Sequence, residues 1–177
     1  MITKDKQKSA FETLGKEFGY KNVHQSPKLM KIVVSSGVGS AKDKARLALV
    51  EGRLARITGQ KPSARAAKLS IAQFKMRQGD VVGYQVTLRG ARMYEFLDKL
   101  VHIALPRTRD FRGLSAKAID DMGNLTIGIK EHSIFPETSD EDLKDVFGMA
   151  ITLVTTAKTK PEAEAFFRHI GIPLRAA

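Results

Sequence analysis

The chain has no cysteine, so it can hold no disulfide framework, no thiolate metal site and no cysteine nucleophile. No apolar run approaches the roughly 18–20 residues that a membrane-spanning helix needs. The first residues, Met1-Ile2-Thr3-Lys4-Asp5-Lys6, lead into an amphipathic segment rather than an apolar signal core with a small-residue cleavage site. Internal repeats and low-complexity stretches are missing as well. His24, His102, His132 and His169 are scattered, with no partner at i+3 or i+4 in a ligand cluster, so each reads as a surface or internally satisfied side chain. These absences point to a cytoplasmic protein with no metal, no cofactor and no membrane contact.

What is present is charge of one sign, concentrated in one region. The net charge is +11 over 177 residues, and 42% hydrophobic residues suffice for a real core. Residues 1–52 carry ten Lys+Arg against five Asp+Glu, residues 53–112 carry 13 against four, and residues 113–177 carry seven against ten. A basic middle third beside an acidic last third fits a polyanion bound to one part and a less anionic or basic partner facing another. The length fits a single domain spanning residues 1–177.

Hydrophobic spacing predicts the elements. Ala10, Phe11, Leu14 and Phe18 recur as on a helix, with Thr3 as a candidate N-cap and Gly19 as its end. After Pro27, residues 29–36 read as a strand, with Met30, Ile32 and Val34 on one face and Lys31, Val33 and Ser35 on the other. Leu47, Val50, Leu54 and Ile57 form a helical stripe ending at Gly59, with Asp43 near its start and Arg53 and Arg56 late, as the helix dipole favours. Residues 68–76 and 82–89 read as two strands of a hairpin around Arg77-Gln78-Gly79-Asp80. Gly90 opens a helix carrying Met93, Phe96, Leu97, Leu100, Val101 and Ala104, and Pro106 ends it. A long loop, 106–124, follows, of the kind that is functional or mobile. Beyond it lie a strand at 125–130, a bend at Phe135-Pro136 and an acidic helix opened by Ser139, Asp140, Glu141 and Asp142. A strand at 149–156 and a final helix begun by Pro161 complete the pattern. The fold class is α+β: a mixed, mostly antiparallel sheet with helices on one face, a protruding hairpin and a long loop.

Catalytic signals are weak. Gly37-Val38-Gly39-Ser40-Ala41-Lys42 could bring backbone amides to a phosphate, yet it lacks the spacing of both phosphate-gripping and dinucleotide-binding loops. The carboxylates Asp120, Asp121 and those between Glu137 and Asp145 lie in polar segments, with no isolated pair in an apolar setting for acid/base work. No catalytic residue and no small-molecule substrate are expected. The basic hairpin is stronger: Lys61, Arg65, Lys68, Lys75, Arg77 and Arg89 alternate with Gln60, Ser63, Gln73, Gln85 and Thr87. Cations engage phosphates while short polar groups engage 2′-hydroxyls and base edges, a combination suited to RNA. A DNA-binding architectural protein and a phosphate-transfer enzyme using residues 37–42 stay open on these residues alone. The first would not discriminate RNA from duplex DNA, and the second would bind nucleotide saturably without RNA.

Several runs together resemble the bacterial large-subunit ribosomal protein five family. They are Ile57-Thr58-Gly59-Gln60-Lys61-Pro62, Phe74-Lys75-Met76-Arg77-Gln78-Gly79 and Val86-Thr87-Leu88-Arg89-Gly90, then Pro106-Arg107, Arg109-Asp110-Phe111-Arg112-Gly113-Leu114-Ser115 and Ile134-Phe135-Pro136-Glu137. The resemblance implies a cytoplasmic ribosomal protein of the central protuberance that binds 5S rRNA beside 23S rRNA and other central-protuberance proteins. In the family the 5S surface lies on the sheet, at positions matching Ser35, Gln60, Phe74 and Thr87. Lys31, Lys61, Ser63, Arg65, Lys68, Lys75 and Arg89 are grouped with them as 5S-binding candidates. Family members often carry Asn where this chain has Ser35, which makes that contact weaker or water-mediated. The same resemblance assigns Arg77, Gln78, Gly79 and Asp80 to the peptidyl-site tRNA. It assigns a bridge to small-subunit protein thirteen to Arg109, Asp110, Phe111, Arg112 and Gly113 together with His132, Ser133, Ile134, Phe135, Pro136 and Glu137. Alternation along 68–76 alone would turn Phe74 toward the core with Ala72 and Met76, whereas the resemblance turns it toward RNA.

Overall fold

The computed structural model describes residues 2–39, 44–109, 111–138 and 146–175. Part of the glycine turn (40–42), Asp43, Asp110 and the acidic helix expected from Ser139 to Asp142 lie outside the described residues. The elements in chain order are α1 (Ile2–Phe18), β1 (Leu29–Gly37), α2 (Lys44–Thr58), β2 (Ser63–Ala66), β3 (Val81–Leu88), α3 (Gly90–Lys99), β4 (Leu125–Ile129), β5 (Met149–Thr155) and α4 (Lys160–Ile170). The strands form an open antiparallel sheet in the order β2-β3-β1-β5-β4, so the fold is α+β as the hydrophobic pattern predicts.

Strand alternation gives the sheet one covered and one open face. Ile32 and Val34 of β1, Tyr84, Val86 and Leu88 of β3, Leu125, Ile127 and Ile129 of β4, and Ile151 and Leu153 of β5 are buried. Lys31, Val33, Ser35, Gln85 and Thr87, at the intervening positions, are half-exposed. Two-residue periodicity dictates this division, because successive side chains leave a strand on opposite sides.

The chain divides into two compact units. One comprises residues 1–32, 88–127 and 152–177. In it α1 packs against α3 and α4, and the core includes Ala10, Leu14, Met93, Phe96, Leu97, Phe166 and Phe167. Thr3 is not an N-cap: it lies inside α1, and both its backbone N–H and its hydroxyl donate to the Asp98 carboxylate. Gly19 ends α1 at φ 68°. α3 runs on into a wider π-type turn, in which Leu105 N–H donates to Leu100 O at 2.9 Å. The 106–124 segment is no free excursion. Leu114 N–H donates to Pro173 O at 2.7 Å, Arg175 N–H donates to Leu114 O at 2.8 Å, and a short turn at Ala116–Ala118 is capped by Ser115.

The other unit comprises residues 33–87 and 128–151. Val50, Leu54 and Ile57 of α2 are buried there along with Val34, Tyr84, Val86, Phe135 and Phe147. Gly59, at φ 67°, ends α2 as the spacing predicts.

Candidate nucleic-acid interface

In the second unit β2 pairs antiparallel with β3, Ser63 opposite Gln85 and Arg65 opposite Gly83, with a register shift between Arg65 and Ala66. Directly paired residues share a face, so Ser63 and Arg65 join Gln85 and Thr87 on the open side. All four residues of β2 are exposed. A Cβ on Gly83 would stand 2.9 Å from Ser36 O, so the glycine permits the close approach of β3 to β1 that carries Ser35.

Gln60 follows the Gly59 reversal and is half-exposed; its side-chain amide donates to Thr87 O at 3.5 Å. Thr58 Oγ1 donates to Leu54 O at 2.7 Å and accepts from Gln60 N–H at 3.4 Å, steadying that turn. Lys61 is exposed and lies 3.7 Å from the Glu51 carboxylate. Burial, with the Glu51 charge second, raises the Tyr84 phenol above its ordinary value. Gln60, Ser63, Arg65 and Thr87, with Ser35 on the neighbouring strand, thus form a polar, cation-flanked surface. Lys31 and Arg89 belong to the first unit, where Lys31 is half-exposed on β1 and Arg89 is exposed at the start of α3.

The hairpin differs from its expected form. Residues 68–76 are not a strand: the chain leaves the sheet at Ala67 and rejoins it at Asp80, with Ala67 N–H donating to Asp80 O at 2.8 Å. Between them Ile71 and Met76 exchange backbone hydrogen bonds, Ala72–Phe74 make one turn, and Lys75 takes a left-handed φ of 51°. The apolar residues of this stretch have no covering layer, so they cannot hold a strand register. Phe74 is therefore neither in the core nor on a strand face: it is 63% exposed on the loop, as Leu69 is at 73%. The Arg77–Asp80 turn is not the protruding tip either. It closes the base of the loop, with Arg77 N–H donating to Asp80 Oδ2 at 2.8 Å and Gln78 N–H to Ser70 Oγ at 2.9 Å. Lys68 and Lys75 are exposed on the loop.

The segment around His132 is more internal than a bridge surface requires. His132, Ile134 and Phe135 are buried, at 2%, 8% and 0% exposure. The His132 ring stacks on Phe147 at 4.3 Å, and its Nε2 lies 3.1 Å from the Arg53 guanidinium. Only Ser133, half-exposed, and Pro136 and Glu137, exposed, leave side chains for a partner. Arg109 and Arg112 are exposed and Phe111 is half-exposed, while Arg175 Nε–H donates to Gly113 O at 3.0 Å. Sequence reading missed the burial of Arg53. Its signal was position: Arg53 stands beside Leu54 within the Val50–Ile57 stripe.

For catalysis the geometry offers little. Val38 is buried and its N–H donates to Val82 O at 2.8 Å, so that amide of the glycine turn is not free for a phosphate. His169 Nε2 sits 2.7 Å from Lys6 O and 3.1 Å from Ser9 Oγ. Among the described residues no group of three His, Cys, Asp or Glu is arranged to hold a metal ion, and no helix is long and apolar enough to cross a membrane.

Comparison with known proteins settles the class. Residues 22–77 match the family described as ribosomal protein L5, and residues 81–174 match the model of that ribosomal family's C-terminus. The chain belongs to the ribosomal protein L5 family. It is 51% identical over 171 residues to the large ribosomal subunit protein uL5 of Anaeromyxobacter sp. (strain Fw109-5), covering 96% of this chain and 94% of that protein. Against uL5 of Heliobacterium modesticaldum it is 53% identical over 160 residues, with coverages of 90% and 89%. Against uL5 of Geobacter sulfurreducens it is 49% identical over 170 residues, covering 95% and 94%. L5 family membership makes the chain a structural, RNA-binding protein of the large ribosomal subunit, working in the cytoplasm within the ribosome and not as an enzyme.

Proposed function

We propose that this chain, acting over its whole length as one ribosomal-protein domain, binds 5S rRNA in the central protuberance, beside 23S rRNA and neighbouring proteins. The observation that carries the reading is the polar surface of Gln60, Ser63, Gln85 and Thr87, half-exposed or exposed and flanked by Lys61 and Arg65. Cations there meet phosphates, and the hydroxyl and amide groups meet 2′-hydroxyls and base edges. Ser35 adds a short hydroxyl, and Lys31, Lys68, Phe74, Lys75 and Arg89 extend the contact. The loop closed by Arg77, Gln78, Gly79 and Asp80 meets the peptidyl-site tRNA. Arg109, Phe111, Arg112 and Gly113, with Ser133, Pro136 and Glu137, face small-subunit protein thirteen.

The test is binding of isolated 5S rRNA at fixed salt by the parent, Gln60→Leu and Thr87→Val. Leaving a hydroxyl or base edge of the RNA unpaired costs about 1–3 kcal/mol per site. Parent-like affinity in both variants rules out this face.

A further inference from the structure

A groove of about 760 Å³ lies at the base of the 68–80 loop, apart from the polar strand face. Its volume falls within the roughly 300–1,000 Å³ typical of ligand sites. Leu47, Ala72, Met76 and Val82 give it an apolar floor, and Lys44, Lys75 and Arg77 stand at its wall. None of these three cations has an ion-pair partner among the described residues. Asp80, the acid beside them, is occupied by the Arg77 backbone N–H rather than by the guanidinium. Gly39 keeps the groove open: a Cβ there would lie 3.7 Å from Met76 Sδ and 3.9 Å from Val82 Cβ, in ordinary contact and pointing at the floor. The loop wall is braced in advance by the Ala67–Asp80, Ile71–Met76 and Ser70–Gln78 hydrogen bonds.

Apolar lining beside three cations that have no ion-pair partner among the described residues suits one chemistry on an RNA-binding protein. We propose that the groove receives a single unstacked nucleotide of ribosomal RNA, its base against Met76, Leu47 and Val82 and its phosphates against Lys44, Lys75 and Arg77. Ribosomal RNA is the partner that family membership supplies, and unstacked bases are what RNA-binding proteins select by burial. The site rests on the reading above and goes beyond its strand face: Lys75 and Arg77 are shared with the loop contacts already proposed, but α2 supplies Lys44 and Leu47, and none of Gln60, Ser63, Gln85 and Thr87 lines it.

The decisive variant is Gly39→Leu, which fills the floor and keeps every cation; φ at Gly39 lies outside the left-handed region, so the substitution carries no backbone strain. Large subunits are reconstituted with the parent, Gly39→Leu, Lys44→Ala or, as a control, Gly128→Ala, where an added Cβ meets nothing within 4 Å, and every rRNA base is probed chemically. Thermal unfolding of the free variants confirms that they fold. One rRNA nucleotide should change reactivity at least fivefold in Gly39→Leu, and in the same direction in Lys44→Ala, while Gly128→Ala leaves it alone. Unchanged rRNA reactivity with folded Gly39→Leu overturns the proposal, and so does a change confined to bound tRNA. Saturable binding of AMP to the free chain that Gly39→Leu abolishes, without any rRNA change, reassigns the groove to a free nucleotide and also overturns it. Failure of both Gln60→Leu and Thr87→Val to weaken 5S binding would remove the proposed strand face and leave the groove standing.

Discussion

The Arg53 guanidinium lies 3.1 Å from His132 Nε2 across 79 residues of sequence, and both side chains are buried. The imidazole is further held by its stack on Phe147, whose N–H lies 3.3 Å from His132 Nδ1. A buried ring with this many partners acts as part of the core. His132→Ala should cost about 3 kcal/mol, since it opens a cavity beside Phe147 and Arg53 and leaves the Phe147 N–H without its ring acceptor. Urea unfolding of the free protein measures it; a loss below about 1 kcal/mol would place the ring outside the core.

Tyr20 and Glu162 give a pH dependence of known sign. The phenol donates to Glu162 Oε1 at 2.6 Å, and Glu162 Oε2 accepts from Lys158 N–H at 2.8 Å. Burial first, then the bond to Glu162 and its charge, push the Tyr20 phenol well above its ordinary value of 10.0. The folded state therefore holds this proton more tightly than the unfolded chain. Its stabilising contribution is complete below about pH 10 and declines as pH rises further. Tyr20→Phe should lower stability by about 1.5–3 kcal/mol at pH 8, the scale of a hydrogen bond to a charged group. It should also flatten the loss between pH 10 and 11. Equal steepness in parent and variant would assign that loss to other groups.

Gly123 and Gly128 should respond differently to alanine. At Gly123, φ is 76° and an added Cβ would stand 2.9 Å from Ala157 Cβ and 3.0 Å from Ala157 O. Strain and overpacking act together there, for a loss of about 2 kcal/mol. At Gly128 a Cβ meets nothing within 4 Å, and alanine should change stability by no more than about 0.5 kcal/mol. Comparable effects at the two sites would contradict the contacts around Ala157.

The one-sided strands were legible because burial on one face leaves a period of two in the chain. The runs 29–36, 82–89 and 149–156 therefore appear within a residue or two of β1, β3 and β5. The same logic misreads 68–76, where Leu69, Ile71 and Phe74 are apolar without being covered, so hydrophobicity carries no information about a sheet. Arg53 fails in the opposite direction: a charge reads as solvent-facing unless its buried partner is known, and His132 lies too far along the chain to reveal it. At the interface, the cations and short polar groups of 60–65 and 85–89 were visible as chemistry. Whether the Arg77–Asp80 turn is the tip or the base of its loop depends on the Ala67–Asp80 hydrogen bond, which no local pattern encodes.

The three loop and edge lysines should not contribute equally to RNA affinity. Each phosphate neutralised releases condensed counterions and steepens log affinity against log salt by about 0.7 for single-stranded and 0.9 for duplex RNA-like charge density. Lys61 already has Glu51 at 3.7 Å, although its side chain is 85% exposed. A phosphate approaching Lys61 also meets the Glu51 carboxylate, so the net charge gained there is less than one. Lys68 and Lys75 are exposed and have no ion-pair partner among the described residues, so each presents a full charge. Lys68→Ala and Lys75→Ala should therefore each flatten the salt dependence of 5S rRNA binding by about 0.7–0.9, and Lys61→Ala by about half as much. Glu51→Gln should then steepen it relative to the parent, because it frees Lys61 without removing a cation. Affinities measured across a range of salt concentrations give the slopes. A Lys61→Ala slope as flat as that of Lys75→Ala, with Glu51→Gln unchanged from the parent, would show that the Glu51 pair does not compete with RNA.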